Sequence, residues 1–445
     1  MRKWIAAPVA LFALTAAMVA AQPQSVTLKV VGFKVAAAET GTPLDKAYQA
    51  FVTSAQKAIP GLKLDLLDAP PDDAQLLVDL AAGTAPDVWS QDASSLARLV
   101  SSGNTMDIRK CLTVDPKLNL NRFYPSVLKI HQAPDGSITS LPNDFTPMVV
   151  YYNPEVFAKS KVAAPSNNWT WAQFLKTAQL LTLDNKGRNR LDPNFDEKNV
   201  VQWGYRMRNY TYAWIFRTWE NGGDVISPDG TTATGYLDSP ATMQALQWMA
   251  DLVLKYKVSP KPSVYTQMTQ AGPFDNLFLQ GKVAMFDSGH WELVGLLSSP
   301  DYKAGRVAVV PQPRQKNGAT VLYESSFVIN KSVEKDPAKM KAACQLVDRA
   351  TDTAYQNTKV LTGIAVAANQ FSAAAAIKNS KLPEVDRTFL NAVAAGRPPY
   401  GSKFANYPAV ETILDSMMDR ILNGTSVADA VKSATTEINR ELSKK

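Results

Sequence analysis

The sequence has very little of the two residue types that most often bind zinc or act as nucleophiles. Among its 445 residues only Cys111 and Cys344 are cysteine, and only His131 and His290 are histidine. There is no Cys-x-x-Cys pair, so zinc chemistry based on histidine and cysteine is nearly excluded. In an oxidising compartment the two cysteines permit one disulfide bond, but spacing alone leaves open whether they meet.

The sequence also lacks the motifs of common enzyme classes. Ser288–His290 has neither the spacing nor the second glycine of the Gly-x-Ser-x-Gly elbow of serine hydrolases. Gly281-Lys282 lacks the upstream glycine of a phosphate-binding loop. Paired carboxylates of a glycoside hydrolase cannot be judged by counting, because 40 acidic residues always offer pairs.

Long apolar runs are confined to the N-terminus. Arg2 and Lys3 precede an apolar stretch that ends in small residues at 19–21, which predicts a secretory signal peptide at 1–21, cleaved before Gln22. No cysteine lies at the predicted cleavage point, so we expect a periplasmic or extracytoplasmic protein without a lipid anchor. Removing the signal peptide lowers the formal net charge of +7 by two, to +5. Because no basic run alternates with aromatic residues, no nucleic-acid partner is expected.

Composition and length indicate a folded protein with two lobes. Hydrophobic residues make up 46% and charged residues 20% of the chain, a globular balance that argues against disorder. A chain of 445 residues is too long for one compact unit.

Apolar periodicity predicts an α/β fold. Alternation at 26–33 and at 62–66 predicts two strands, and an apolar face at 44–59 predicts a helix between them. This order is typical of a largely parallel sheet flanked by helices. Further helix starts are predicted at Thr170 (a capping box with Gln173), Ser239 and Asp336.

Aromatic residues are abundant, with 9 Trp, 15 Tyr and 16 Phe. Sugars pack their C–H faces on rings and donate hydroxyls to carboxylates and amides, so the mixture suits a carbohydrate cleft. Most buried tryptophans are simply core, so composition alone carries little weight.

Four blocks of sequence carry a more specific pattern. They are Gly83–Trp89 (GTAPDVW) with Leu96–Leu99 and Gly103; Leu141–Phe157 (LP at its start, YYNPEVF at its end) with Thr170-Trp171; Phe278–Met285 (FLQGKVAM) with Gly289-His290-Trp291; and Gly424–Ala430 (GTSVADA). In this order and spacing the blocks resemble those of extracellular solute-binding proteins of ABC importers, specifically the maltose-binding-protein-like carbohydrate group (family 1).

The resemblance implies a two-lobed periplasmic-binding-protein fold of type II. Each lobe would be a mainly parallel sheet flanked by helices, and the ligand cleft would lie between the lobes. The implied parts are lobe 1 at 22–145 with 327–378, lobe 2 at 149–322 with 382–445, and hinge crossings near 145–148, 322–326 and 377–381.

The resemblance also implies ligand-binding positions. Asp92 lies five residues after Asp87, where the family often has a hydroxyl-binding carboxylate, although an exposed helix-capping aspartate explains it equally well. Thr146 lies where relatives commonly carry an acidic ligand residue. This departure puts the sugar's identity in question, and Asp144 is expected to take the acidic role. Trp291 lies at the position of a stacking aromatic.

Five more residues are candidates. Tyr407 is either an aromatic ligand position or a tyrosine on the lobe surface, and Trp214 is either a stacking platform or core. Glu324 and Ser325, at a predicted crossing, are expected to reach the ligand. Glu39, after the first strand, either reaches the ligand or lies in a solvated loop.

The resemblance implies high-affinity capture of a sugar or oligosaccharide outside the cytoplasmic membrane and its delivery to an ABC-type permease by hinge closure. No bond would be made or broken, and no cofactor or metal is expected. We expect a monomer whose partners are the carbohydrate and the permease subunits. Two alternatives stay open: a secreted carbohydrate-active enzyme with paired carboxylates, and an ABC binding protein for a non-sugar solute.

Overall fold

The computed structural model describes residues 25–70, 72–133, 135–270 and 273–444. The predicted signal peptide at 1–21 lies outside the described residues. Of the helices described, none combines the length and apolarity needed to cross a lipid bilayer.

The described chain opens with the predicted β-α-β unit. Strand β1 (Val26–Val31), helix α1 (Pro43–Ala58) and strand β2 (Leu62–Leu66) follow in order, and the two strands pair in parallel. The Thr42 side chain accepts a hydrogen bond from the Asp45 N–H and so satisfies one of the free donors at the start of α1. Apolar periodicity and a cap therefore account for this unit.

The remaining strands are β3 (Val88–Asp92), β4 (Leu141–Pro147), β5 (Val149–Tyr152), β6 (Leu183–Asp184), β7 (Val200–Gln202), β8 (Met285–Ser288), β9 (Ala308–Val310), β10 (Thr320–Ile329), β11 (Val366–Ala367) and β12 (Gly396–Arg397). The remaining helices are α2 (Asp73–Ala82), α3 (Leu96–Ser101), α4 (Cys111–Val114), α5 (Pro125–Leu128), α6 (Pro154–Lys159), α7 (Trp171–Leu181), α8 (Ile215–Glu220), α9 (Pro240–Leu254), α10 (Pro262–Gln270), α11 (Phe274–Leu279), α12 (Glu292–Ser298), α13 (Pro337–Ala350), α14 (Thr353–Val360), α15 (Gln370–Asn379), α16 (Pro383–Ala392), α17 (Tyr407–Leu422) and α18 (Val427–Leu442). Helices α7, α9 and α13 begin at the three predicted caps, and the capping box at α7 is present.

The larger sheet has the strand order β11-β4-β10-β3-β1-β2, with β12 paired to β10. Strand β1 is parallel to β2 and β3, and β12 is parallel to β10. Strand β10 is antiparallel to β3 and β4, and β11 is antiparallel to β4. The predicted parallel arrangement is therefore right for β1 to β3 and wrong for the centre of the sheet.

A second sheet has the order β8-β5-β9, and both of its pairings are antiparallel. The prediction of a mainly parallel sheet in each lobe is wrong here. Apolar periodicity identifies a strand but not its direction, which depends on how the intervening chain returns to the sheet. Strand β5 is short and lies more than a hundred residues before both of its partners, so no local signal fixes their pairing.

Two large hydrophobic cores are present in the described chain. One surrounds β1 and β10 and includes Phe33 and Phe327, while the other includes Trp214 and the buried face of α17. Strand β4 of the larger sheet leads directly into β5 of the second sheet. The side chains of β5 alternate between the two cores, so that Tyr151 belongs to the first core and Val150 to the second core. Both sheets are thus joined through a short connection, and the exact lobe boundaries stay a prediction.

Cys111 and Cys344 form a disulfide bond, which answers the question left open by their spacing. Their Cα atoms are 5.3 Å apart although 233 residues separate them in the sequence. The bond joins α4 to α13 within the first core. Such a bond is typical of a protein that folds in an oxidising compartment.

A buried ionic network joins α8 to β8. Arg217 Nη1 lies 3.0 Å from Glu220 Oε1, and its Nη2 lies 3.1 Å from Asp287 Oδ1. Tyr205 donates its hydroxyl hydrogen to Asp287, and Trp171 Nε1 donates to Glu220 Oε2 at 2.6 Å. The network fixes the strand that leads directly to Trp291.

Candidate functional site

A cavity of about 660 Å³ is lined by the end of β3, by β4 and β10 of the larger sheet, and by one face of α17 from the second core. The lining residues are Asp92, Ser94, Asp144, Thr146, Tyr212, Trp291, Tyr323, Glu324, Ser325, Ile364, Ala365, Pro408, Glu411, Thr412 and Asp415. Elements of both cores therefore meet at one cavity.

Six of the nine residues predicted from the sequence line this cavity. They are Asp92, Asp144, Thr146, Trp291, Glu324 and Ser325. They come from four separate parts of the chain, and the geometry brings them together.

The other three predicted residues do not line the cavity. Trp214 is 0% exposed in the second core, where its Nε1 donates to the Asn209 carbonyl at 3.1 Å. Tyr407 opens α17 but packs into the same core at 3% exposure. Glu39 lies exposed in the short 3₁₀ turn after β1. For Trp214 the structure favours the core interpretation, and for Glu39 the solvated loop.

Asp144 already has partners for both carboxylate oxygens. Its Oδ2 forms an ion pair with Lys359 Nζ, and its Oδ1 accepts a hydrogen bond from the Ser325 N–H at 3.1 Å. Asn143 Nδ2 donates to Ser325 Oγ at 3.0 Å. A ligand hydroxyl at this wall would meet a carboxylate held in a fixed direction.

Glu324 lies in β10 with one oxygen paired and one free. Its Oε2 lies 2.9 Å from His131 Nε2, and His131 Nδ1 lies 2.7 Å from Ser140 Oγ. Its Oε1 is buried and has no hydrogen-bond partner among the described residues. Burial raises the pKa of Glu324, and the nearby His131 opposes that shift. In this structure the Glu324 side chain is 0% exposed, so the cavity does not open onto this oxygen.

Asp92 and Glu411 lie on opposite walls. Asp92 is exposed at the cavity wall, and desolvation by the surrounding protein together with the charge of Asp144 raises its pKa to about 7. Burial and the charge of Asp415 raise the pKa of Glu411 to about 7. Near neutral pH each carboxyl group is therefore present both ionised and protonated, and can accept or donate a hydrogen bond.

Tyr212, Trp291 and Tyr323 form an aromatic corner at the cavity wall. Their ring centroids are 6.4 Å apart for Tyr212 and Trp291, 6.3 Å for Tyr212 and Tyr323, and 6.2 Å for Trp291 and Tyr323. The ring planes cross at 73°, 81° and 69° respectively. Each pair is therefore close to perpendicular, so the rings offer faces in three directions.

The position of Trp291 is set by its neighbours. The N–H of His290 donates to Thr146 Oγ1 at 2.7 Å, which ties the segment after β8 to β4. A Cβ added at Gly289 would lie 2.2 Å from the Trp291 ring, so only glycine leaves room for the indole. Thr146, predicted as a ligand residue, thus has its hydroxyl engaged in holding the chain next to Trp291.

Sequence reasoning missed the polar stripe on α17. Pro408, Glu411, Thr412 and Asp415 line the cavity at the i, i+3, i+4 and i+7 spacing of one helix face. Val410 and the other core residues of the helix lie on its opposite face. The sequence carries this spacing, but helical periodicity alone does not show which polar face meets a cavity.

Comparison with known proteins decides the family. The model of the bacterial extracellular solute-binding protein family matches residues 38–357. The chain belongs to this family. The resemblance stated from the four sequence blocks and the type II periplasmic-binding fold are therefore confirmed, and membership places this solute-binding protein outside the cytoplasmic membrane.

Individual relatives are distant in sequence but similar in fold. A protein of Brucella abortus (strain 2308), whose name describes a binding protein and states no ligand, is 24% identical over 76% of this chain and 75% of its own. The ABC substrate-binding protein Lmo0181 from Listeria monocytogenes, in complex with cycloalternan, has a TM-score of 0.78 at 19% identity, covering 95% of this chain and 100% of that one. UgpB from Mycobacterium tuberculosis, in complex with glycerophosphocholine, has a TM-score of 0.74 at 16% identity, covering 94% and 98%.

Proposed function

We propose that this solute-binding protein captures a sugar or oligosaccharide in the cavity and delivers it to the permease of an ABC importer. One observation carries the proposal: three aromatic rings and five carboxyl groups line a single cavity built from both cores. We further propose that the mature chain begins near residue 22, acts as a monomer, and makes or breaks no bond in its ligand.

The aromatic corner and the carboxyl groups have complementary tasks. Ring faces remove the apolar C–H surfaces of a sugar from water and so supply much of the affinity. The carboxyl groups at the cavity wall accept its hydroxyls. Leaving such a group unpaired costs about 1–3 kcal/mol, so these groups decide which hydroxyl patterns are accepted.

Closure of the two halves would complete the site. Ser94, which lines the cavity after β3, packs against Gly401, which lies in the 3₁₀ turn Tyr400–Ser402 before α17. A Cβ at Gly401 would lie 1.4 Å from the Ser94 carbonyl oxygen, so the two backbones touch directly. A ligand that contacts both halves favours this closed form by its differential affinity, and the permease would recognise the closed form.

Two alternatives follow from specific observations. Asp144 and Glu324 are held by Lys359 and His131, so an enzyme would have to take its carboxylate pair from Asp92, Glu411 and Asp415. The likeness in fold to a glycerophosphocholine-binding protein keeps a non-sugar solute as the second alternative.

Titration of the intrinsic tryptophan fluorescence with a panel of mono- and oligosaccharides tests the proposal. We expect saturable binding of at least one saccharide that is recovered unchanged after prolonged incubation. Consumption of the bound saccharide would instead show an enzyme. A response confined to non-sugar solutes would overturn the carbohydrate assignment.

A further inference from the structure

The ring spacings and crossing angles of the aromatic corner are compatible with a binding place for a cation. A cation that lies about 4.5 Å from each of three ring centroids is within the ~6 Å range of a cation–π contact with every ring. If the three rings are mutually perpendicular and face the cation, their centroids are about 6.4 Å from each other. The observed separations of 6.2–6.4 Å and crossing angles of 69–81° agree with this arrangement. A sugar that stacks on one ring needs no such corner.

Acidic groups surround the same corner. Asp92, Glu411 and Asp415 all line the cavity, and their negative potential adds to burial in raising the pKa of the Tyr323 phenol. Negative charge therefore faces the Tyr323 ring from the wall that carries Asp92 and from the wall formed by α17.

Positive charge is scarce at this place. No lysine or arginine is among the described residues that line the cavity. Lys359 is paired with Asp144, and Arg208, whose Nη1 donates to Tyr212 Oη at 3.2 Å, is paired with Glu292 at 3.4 Å. Closing the two halves on a neutral guest would leave proton uptake as the compensation for Asp92 and Glu411, whereas a cationic guest would compensate their charges directly.

We propose that the ligand carries a positively charged nitrogen, which sits in the aromatic corner between Asp92 on one wall and Glu411 and Asp415 on the other. The inference rests on the proposed function, since it names the class of saccharide: an amine-bearing one. The same chemistry would recognise a quaternary ammonium group, so both sources must be tested. Anionic solutes without a cationic group should be rejected by the same carboxylates.

The test is a set of calorimetric titrations of the full mature protein with matched probes. Glucosamine and its free-amine disaccharide are compared with N-acetylglucosamine, its disaccharide and glucose, while choline and glycerophosphocholine represent quaternary ammonium compounds. We expect each amine to bind at least tenfold more tightly than its N-acetyl counterpart. Glu411→Gln should reduce this ratio to threefold or less, whereas Glu384→Gln, at a carboxylate whose side chain is 82% exposed on α16, should leave it unchanged.

Dependence on pH gives a second readout for a ligand of fixed charge. Binding of a quaternary ammonium compound should strengthen several-fold from pH 6 to pH 8, because Asp92 and Glu411 with pKa values of about 7 become ionised. The groups that face these two carboxyls are Asp73, Asp144, Glu324, Tyr323, Tyr407 and Asp415.

The outcomes separate this inference from the proposed function. If neutral sugars bind as tightly as the amines or more tightly, the inference of a cationic ligand is wrong and the proposal of saccharide capture is unaffected. If choline compounds bind and no saccharide does, the inference of a cationic ligand is supported and the proposal of saccharide capture is wrong. If no probe binds, both are wrong.

Discussion

Gly401→Ala tests closure without touching a ligand-binding side chain. The added Cβ would lie 1.4 Å from the Ser94 carbonyl oxygen and 2.3 Å from its carbon, whereas real Cβ atoms essentially never come within 3.0 Å of another heavy atom. The two backbones must therefore separate by about 2 Å, and under the proposed hinge closure this contact belongs to the closed form. The φ angle of Gly401 is not in the left-handed region, so alanine fits the local backbone and each half should still fold.

We expect Gly401→Ala to weaken ligand binding at least tenfold, about 1.4 kcal/mol or more, because the ligand must now stabilise a form that carries a steric clash. Isothermal titration calorimetry measures the affinity, and small-angle scattering measures whether the ligand still compacts the molecule. Gly318→Ala is the matched control, since its added Cβ would meet nothing closer than 3.8 Å. Wild-type affinity and compaction in Gly401→Ala would refute the closure mechanism.

Three further predictions concern stability. Cys111→Ser with Cys344→Ser should lower the free energy of unfolding in urea by about 2–5 kcal/mol, because the bond closes a loop of 233 residues, and an unchanged value would be contrary evidence. Arg217→Met should cost about 3–5 kcal/mol in the same assay by leaving two buried carboxylates without their cation, and a loss below about 1 kcal/mol would argue against the network. The pKa of Glu411 is raised, so the ligand-free protein binds this proton more tightly when folded, and stability should fall as pH rises from about 4.5 to 7. Glu411→Gln should flatten this decline, and an unaltered profile would contradict the assigned shift.

Local structure was predictable where a short stretch of chain determines it. The capping box of Thr170 and Gln173 and the alternation at 62–66 depend on neighbouring residues alone, and both occur as expected. The antiparallel pairing of β5 with β8 was not predictable, because those strands meet only after more than a hundred residues of intervening chain.

The candidate site also contains residues that the sequence could predict and residues whose position depends on the fold. The family resemblance predicted that Trp291 lies in the binding site. Gly289 is needed beside it because a larger residue would clash with the Trp291 ring. Trp214 was predicted as a candidate and Tyr212, two residues earlier, was not, because the short 3₁₀ turn at Thr211–Ala213 breaks the helical period that would distinguish a cavity residue from a core residue. Tyr323 was missed although it precedes the predicted Glu324, because strand alternation gives two faces without saying which one meets the cavity.

Calorimetric titration of the wild-type protein and Trp291→Ala with the tightest saccharide of the panel tests the central claim most directly. The aromatic corner and the carboxyl groups predict one saccharide per protein molecule. They also predict a loss of about 2 kcal/mol, roughly thirtyfold in affinity, in Trp291→Ala. Phe371→Ala, which removes a ring that is 61% exposed and outside the cavity lining, should bind like the wild type. No binding by any saccharide, or equal affinities for the wild type and Trp291→Ala, would contradict the account.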